Sequence, residues 1–172
     1  LLLPLLMLPT VTGYYLVVLF GRHGVIGGPV YAATGWTLLF TWQAAVLAAF
    51  VVSLPLMIQS ARAAIASVDQ VYIDQAYTLG YTRVETFFWV VLPLARRGIL
   101  AGLILSFARA LGEFGATLMV AGNIPGRTAT MPITIYSAAA SGEWSAAQGM
   151  VLLFTAISAI FLAAALLLSS QR

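Results

Sequence analysis

Four apolar stretches, at roughly 1–20, 36–59, 97–120 and 146–169, constrain this chain more than any other feature of it. Each is about 20 residues long, the length an α-helix needs to cross a hydrocarbon core about 30 Å thick. A helix pairs its own backbone donors and acceptors, which lipid cannot do for an open structure. Composition agrees: 62% of the residues are hydrophobic and 8% are charged, against roughly a quarter charged in soluble domains. The expected fold is an all-α, polytopic transmembrane helical bundle, with residues 1–172 forming a single domain. In the first stretch Pro4, Pro9 and Gly13 predict a kinked or partly unwound helix, tolerable where neighbours satisfy the freed backbone groups. The last stretch has no charge and many small residues, as helix-packing faces in lipid do. The chain opens at Leu1 within an apolar run, and one further membrane helix is expected ahead of it.

Arginine placement orients the bundle. Arg62, Arg83, Arg96 and Arg97 lie between the second and third stretches, and Arg172 follows the fourth. The other side carries only Arg22 and Arg127. Loops rich in Lys and Arg stay in the cytoplasm, so residues 62–95 are expected inside and residues 21–35 and 121–145 outside. All eight basic residues are arginine, so the lysine that reaches the β/γ-phosphates in a P-loop is missing. Cysteine is absent too, which removes disulfides, thiolate metal sites and cysteine nucleophiles. The one histidine, His23, sits in a Gly-rich outer loop and makes no metal cluster alone. No catalytic residue, bound cofactor or metal site is expected on this chain.

The polar segment "YIDQAYTLGYTRVETFFWVVLPLARRG", residues 72–98, breaks the apolar pattern. Val68, Tyr72, Ala76 and Leu79 recur with helical spacing, and Gly80 follows where a left-handed C-terminal cap belongs. A second stripe, Val84, Phe87, Phe88 and Val91, runs up to Leu92–Pro93. Proline removes a hydrogen bond from the preceding turn, so a second short helix is expected to stop there. Two amphipathic helices joined at a glycine form a cytoplasmic knob. Interfacial helices usually carry a basic polar face, yet the first helix here carries Asp69 and Asp74 and no arginine. A protein partner fits that charge better than anionic lipid does.

These residues resemble the cytoplasmic motif of permease subunits of ATP-binding cassette importers, of the type I kind. Asp74 stands at the family's acidic position, where glutamate is usual, with Gln75 and Ala76 at the two alanine positions. Gly80 stands at the glycine and Leu92–Pro93 at the closing pair. "VTGYYLVVLFGRHGVIG", "SFARALGEFGATLMVAGN" and "NIPGRTATMPITIYSA" extend the likeness along the chain and resemble the molybdate permeases of the molybdate/sulfate branch. The resemblance implies an ATPase-coupling segment containing Asp74, Gln75, Ala76, Gly80, Phe87, Phe88, Leu92 and Pro93. It implies import of molybdate or tungstate across a bacterial or archaeal cytoplasmic membrane, with sulfate or thiosulfate as the alternative cargo. The implied partners are an ATP-binding cassette ATPase holding ATP and magnesium, and a periplasmic or lipoprotein oxyanion-binding protein. One knob per chain against a paired ATPase implies a two-fold homodimer within membrane lipid, and no nucleic acid.

Arg109 and Glu113 fall inside the third stretch, where each charge costs about 2.5–3.5 kcal/mol on insertion scales. Their i, i+4 spacing lets them neutralise each other, with Ser106 on the same face. Either they line the route of a dianion, or they clamp this helix to its neighbours. Small residues at Ala108, Gly112 and Ala116 recur every fourth position, a pattern that permits close helix approach. In the outer loop, Thr130–Met131–Pro132 predicts a helix start, and the helix should end near Gly142. Met131, Pro132, Ile135 and Tyr136 are the candidate outer gate, the alternative being an interfacial cap.

Two other classes fit poorly. An intramembrane serine protease needs a histidine within the membrane, and His23 is in a loop. A secondary transporter driven by an ion gradient is expected to show inverted repeats and paired broken helices; only the first stretch reads as broken.

Overall fold

A computed structural model describes residues 8–170, with side-chain surroundings through Ala163. The described chain is helical, without strands, in the order α1 Pro9–Phe20, α2 Gly27–Thr34, α3 Trp42–Ala66, α4 Gln70–Thr78 and α5 Arg83–Thr86. A π-helical turn, Phe87–Val91, leads without interruption into α6, Leu92–Leu111. Then come α7 Gly115–Ala121, α8 Met131–Ala140 and α9 Trp144–Ser170. Three helices are long and apolar enough to span a membrane: Trp42–Ala66, Arg83–Leu111 and α9, the last over Trp144–Ala163.

Over its described part, Pro9–Phe20, the first stretch is a regular helix in spite of Pro9 and Gly13. Pro9 opens α1, with Leu8 extended before it (φ −58°, ψ 139°), a position where the missing proline N–H costs nothing. Gly13 is helical and buried. A Cβ on it would lie 2.8 Å from Ala116 Cα and 2.9 Å from Met119 Cβ. That glycine lets α1 approach α7 and does not unwind the helix. Pro4 lies outside the described residues.

The second span begins at Trp42, later than the expected 36. Thr41 caps it, its hydroxyl accepting from Ala44 N–H at 3.3 Å. The third apolar stretch falls in two helices, because Gly112–Phe114 interrupts the chain between α6 and α7. Ala108, Gly112 and Ala116 therefore form no continuous stripe. Ala108 is exposed, Gly112 lies in the break, and Ala116 is fully buried against α1 and α3.

Proline 93 does not end a helix either. It sits in the first turn of α6, and the Leu92 N–H reaches back to Phe87 O, five residues away. The wider π turn absorbs the bond that proline removes from an α-ladder. One rod therefore runs from Arg83 to Leu111.

α3 packs most extensively on α6, antiparallel to it. The seam is glycine on small residue: an added Cβ on Gly98 would meet Ala64 Cβ at 2.5 Å, and on Gly102, Ser60 Cβ at 2.4 Å. The main core cluster is also built largely of small residues, with Ala44, Ala48, Ala116 and Ala121 joined by Leu16, Val52 and Val120. Close backbone packing of this kind holds helices together where lipid removes the hydrophobic contrast.

Candidate functional site: an elbow and a helix break

Local signals shape the elbow at both of its ends. Asp69 caps α4, its carboxylate accepting from Val71 N–H at 3.0 Å. Gln70 donates to Asp74 Oδ1 at 3.1 Å. At the far end Tyr81 N–H reaches Ala76 O at 3.1 Å and Gly80 N–H reaches Tyr77 O at 3.0 Å. This is a Schellman closure, with Gly80 in the left-handed region at φ +88°. Two residues on, Thr82 and Glu85 form a reciprocal capping box, with Thr82 N–H donating to Glu85 Oε2 at 2.8 Å. The chain thus reverses within Leu79–Thr82, and α4 folds back on α5 and the π turn. Ala76, Thr86 and Val91 are buried, at 3%, 2% and 7% exposure.

The expected coupling residues divide accordingly. Ala76 packs inside the elbow, and Leu92 is half-buried. Asp74, Gln75, Gly80, Phe88 and Pro93 face outward, and Phe87 is just exposed, its ring edge-on to that of Phe88 at 5.2 Å. The T-x-x-E pattern of Thr82–Glu85 is a helix-start signal that the sequence reading passed over. Exposed Trp89, in the run of aromatic residues, was passed over too.

The break in the third span is held by the charged pair. Arg109 donates to Glu113 Oε2 at 3.0 Å. The other carboxylate oxygen, Oε1, accepts from Ala116 N–H at 2.9 Å. Glu113 is thereby the side-chain cap of α7 as well as the counter-ion of Arg109. Its side chain is 2% exposed and that of Arg109 39%. Since Ser60 meets Gly102 and Ala64 meets Gly98, the antiparallel register sets the pair level with the middle of α3.

Neighbouring cavities separate the remaining residues. Glu113, Thr117, Thr130, Met131 and Pro132 line one of about 260 Å³ between α3, the break, α8 and α9. Ser106 lies elsewhere, in a cleft of about 400 Å³ with Phe50, Ser53 and Phe107. Its buried hydroxyl has no hydrogen-bond partner among the described residues. α8 starts at Met131 after Thr130, as expected, and a second Schellman closure ends it: Glu143 N–H reaches Ala138 O at 2.9 Å, with Gly142 at φ +79°. Tyr136 is exposed, its ring 5.2 Å from that of Phe114, and Ile135 is half-buried.

Comparison with known proteins gives concordant matches. A family model for the binding-protein-dependent transport system inner membrane component matches residues 1–171. The putative molybdenum transport system permease protein YvgM of Bacillus subtilis (strain 168) is 46% identical over 160 residues, 93% of this chain and 70% of that protein. The molybdenum transport system permease protein ModB of Escherichia coli (strain K12) is 48% identical over 135 residues, 78% of this chain and 59% of that protein. ModB of Azotobacter vinelandii is 40% identical over 154 residues, 87% of this chain and 68% of that protein. The chain thus spans between 59% and 70% of the length of these relatives.

Proposed function

Since the chain belongs to the family of binding-protein-dependent transport system inner membrane components, we propose that it is the membrane-spanning permease of an ATP-driven molybdate or tungstate importer. The names of its relatives, which are molybdenum transport system permease proteins, support molybdate. The protein is a multi-pass subunit of the cytoplasmic membrane and does transport, not catalysis. Its full assembly holds two copies of the chain, two copies of a separate ATPase that supplies hydrolysis, and an oxyanion-binding protein on the outer face.

One observation carries the coupling role: the rod outruns its partner helix. α3 ends at Ala66, level with position 96 of the rod given the Ala64–Gly98 contact. From there back to Arg83 the rod extends about 20 Å, at about 1.5 Å per residue. On this overhang Val84, Phe88 and Trp89 are 66%, 57% and 74% exposed. Arg96 and Arg97 mark the cytoplasmic boundary, so these apolar groups lie beyond lipid and call for a protein cover. An ATPase seated there would push on a helix that continues unbroken to Arg109. Closure of the paired ATPases would tilt both rods, shift the Arg109–Glu113 break and change the spacing of α7, α8 and α9. The ion pair serves in this scheme as the clamp of that joint, with its charges already neutralised.

Reconstitution tests the proposal. The full-length permease, its ATPase and its binding protein in proteoliposomes should take up molybdate only with ATP inside, and tungstate should compete. Uptake driven by an ion gradient without ATP would overturn the reading.

A further inference from the structure

We infer that the outer face of this protein carries a site for a tetrahedral oxyanion, centred on Arg127. A cavity of about 400 Å³ opens where the segment before α3 meets the loop between α7 and α8, a size typical of small-ligand sites. Trp36, Phe40, Trp42, Gln43, Arg127 and Thr128 form its walls, and no carboxylate does.

Both walls are fixed. Arg127, Thr128 and Ala129 all direct their backbone N–H groups at Ile124 O, at 3.0, 2.9 and 3.2 Å. The Thr128 hydroxyl accepts from Ile124 N–H at 3.1 Å. Across the cavity, Phe40 N–H donates to Val120 O at 2.9 Å, and its ring would lie 3.2 Å from a Cβ on Gly122. Phe40 is the one non-glycine residue with positive φ, +61°, among the described residues. Left-handed backbone at a bulky residue persists where its surroundings over-determine it, and such positions cluster at ligand sites.

Arg127 differs from the other described arginine of the outer side, Arg22, and from the one in the helix break, Arg109. Arg109 is engaged by Glu113, and Arg22 lies 4.9 Å from the Tyr31 ring centroid. Arg127 has neither an ion-pair partner nor an aromatic face of this kind among the described residues. Its guanidinium fork suits two oxygens of one tetrahedral anion. The Gln43 amide, on the same cavity, can donate to a third. The indole rings of Trp36 and Trp42 flank the site, and the exposure of Arg127 keeps it weak enough to release what it holds. A free dianion on its way to the pore and the phosphate of a net-anionic outer-leaflet phospholipid share this chemistry. The inference rests on the permease reading only for the outward orientation of the cavity.

The test uses the full-length permease–ATPase complex, labelled with fluorotryptophan, in phosphatidylcholine nanodiscs. Fluorine NMR resonances are assigned by Trp36→Phe, Trp42→Phe and Trp144→Phe. Sodium sulfate or sodium molybdate should shift the Trp36 and Trp42 signals saturably, and chloride at equal ionic strength should not. Arg127→Gln should weaken the response about tenfold or more, as loss of a charged donor does. In phosphatidylglycerol nanodiscs, signals already displaced and insensitive to added dianion would identify the phosphate of an anionic lipid headgroup as the occupant. Unaltered sensitivity there would identify the free anion. Absence of any Arg127-dependent shift in either lipid overturns the site. ATPase co-purification with Arg127→Gln reports the coupling segment separately, so failure of the cavity and failure of the permease reading give different results.

Discussion

Removing the charge of Arg109 should cost more than removing that of Glu113, although the two form one ion pair. The asymmetry comes from burial: the Glu113 side chain is 2% exposed and that of Arg109 39%. Arg109→Gln leaves a buried carboxylate with the Ala116 N–H as its remaining donor. Breaking a fully buried pair costs about 3–5 kcal/mol; with one partner more than a third exposed, about 2 kcal/mol is expected after allowing for solvent screening. Glu113→Gln leaves Arg109 to water, and the new amide oxygen still accepts from Ala116. Its cost should be about 1 kcal/mol. Combining the two substitutions removes the orphaned charge, so the double variant should be more stable than Arg109→Gln alone. Thermal midpoints in detergent, read by size-exclusion chromatography after heating, measure this. At about 2–4 °C per kcal/mol for a chain of this size, Arg109→Gln should fall by about 4–8 °C and the double variant by about half of that. A wild-type midpoint for Arg109→Gln, or a double variant losing the sum of both singles, would refute the clamp.

Gly80 stands at φ +88° with nothing within 4 Å of an added Cβ, so Gly80→Val should cost about 1–2 kcal/mol through the backbone alone. Transport-linked ATPase activity should drop with membrane insertion intact, and Gly80→Asn, which tolerates that backbone, should retain most of it. Gly102→Val would drive a Cβ to 2.4 Å from Ser60 Cβ and should destabilise the protein by about 1–3 kcal/mol. Adding Ser60→Gly should restore part of its thermal midpoint.

Hydrophobic run length and glycine placement made much of the fold legible. Helices long and apolar enough to span a membrane overlap three of the four apolar runs, and the turn at Gly80 and the start of α8 at Met131 follow strong local preferences. What stayed hidden depended on partners far away in sequence. Gly13 reads as a helix breaker until Ala116 is seen against it. Pro93 reads as a stop because the π turn that accommodates it has no sharp composition signal, only an ordinary run of Phe87–Val91. Glu113 reads as half of an i, i+4 pair on a continuous helix, whereas its second oxygen caps the next one. The flanking Gly112 and Gly115 were the available hint of a break. Ala76 stood in the expected contact set, yet it supports the elbow from within, since burial by α5 and the π turn follows from a chain reversal that spacing alone does not show.

The central claim is that the elbow projects into the cytoplasm and is covered there by an ATPase. The chain contains no cysteine, so Phe88→Cys and Asp74→Cys place unique thiols in it on the overhang and the elbow. Labelling with a membrane-impermeant maleimide, applied from each face with and without the ATPase bound, is the most direct measurement. Both thiols should react only from the cytoplasmic face, and binding of the ATPase should protect them. Labelling from the outer face, or equal reactivity with the ATPase present and absent, would contradict the account.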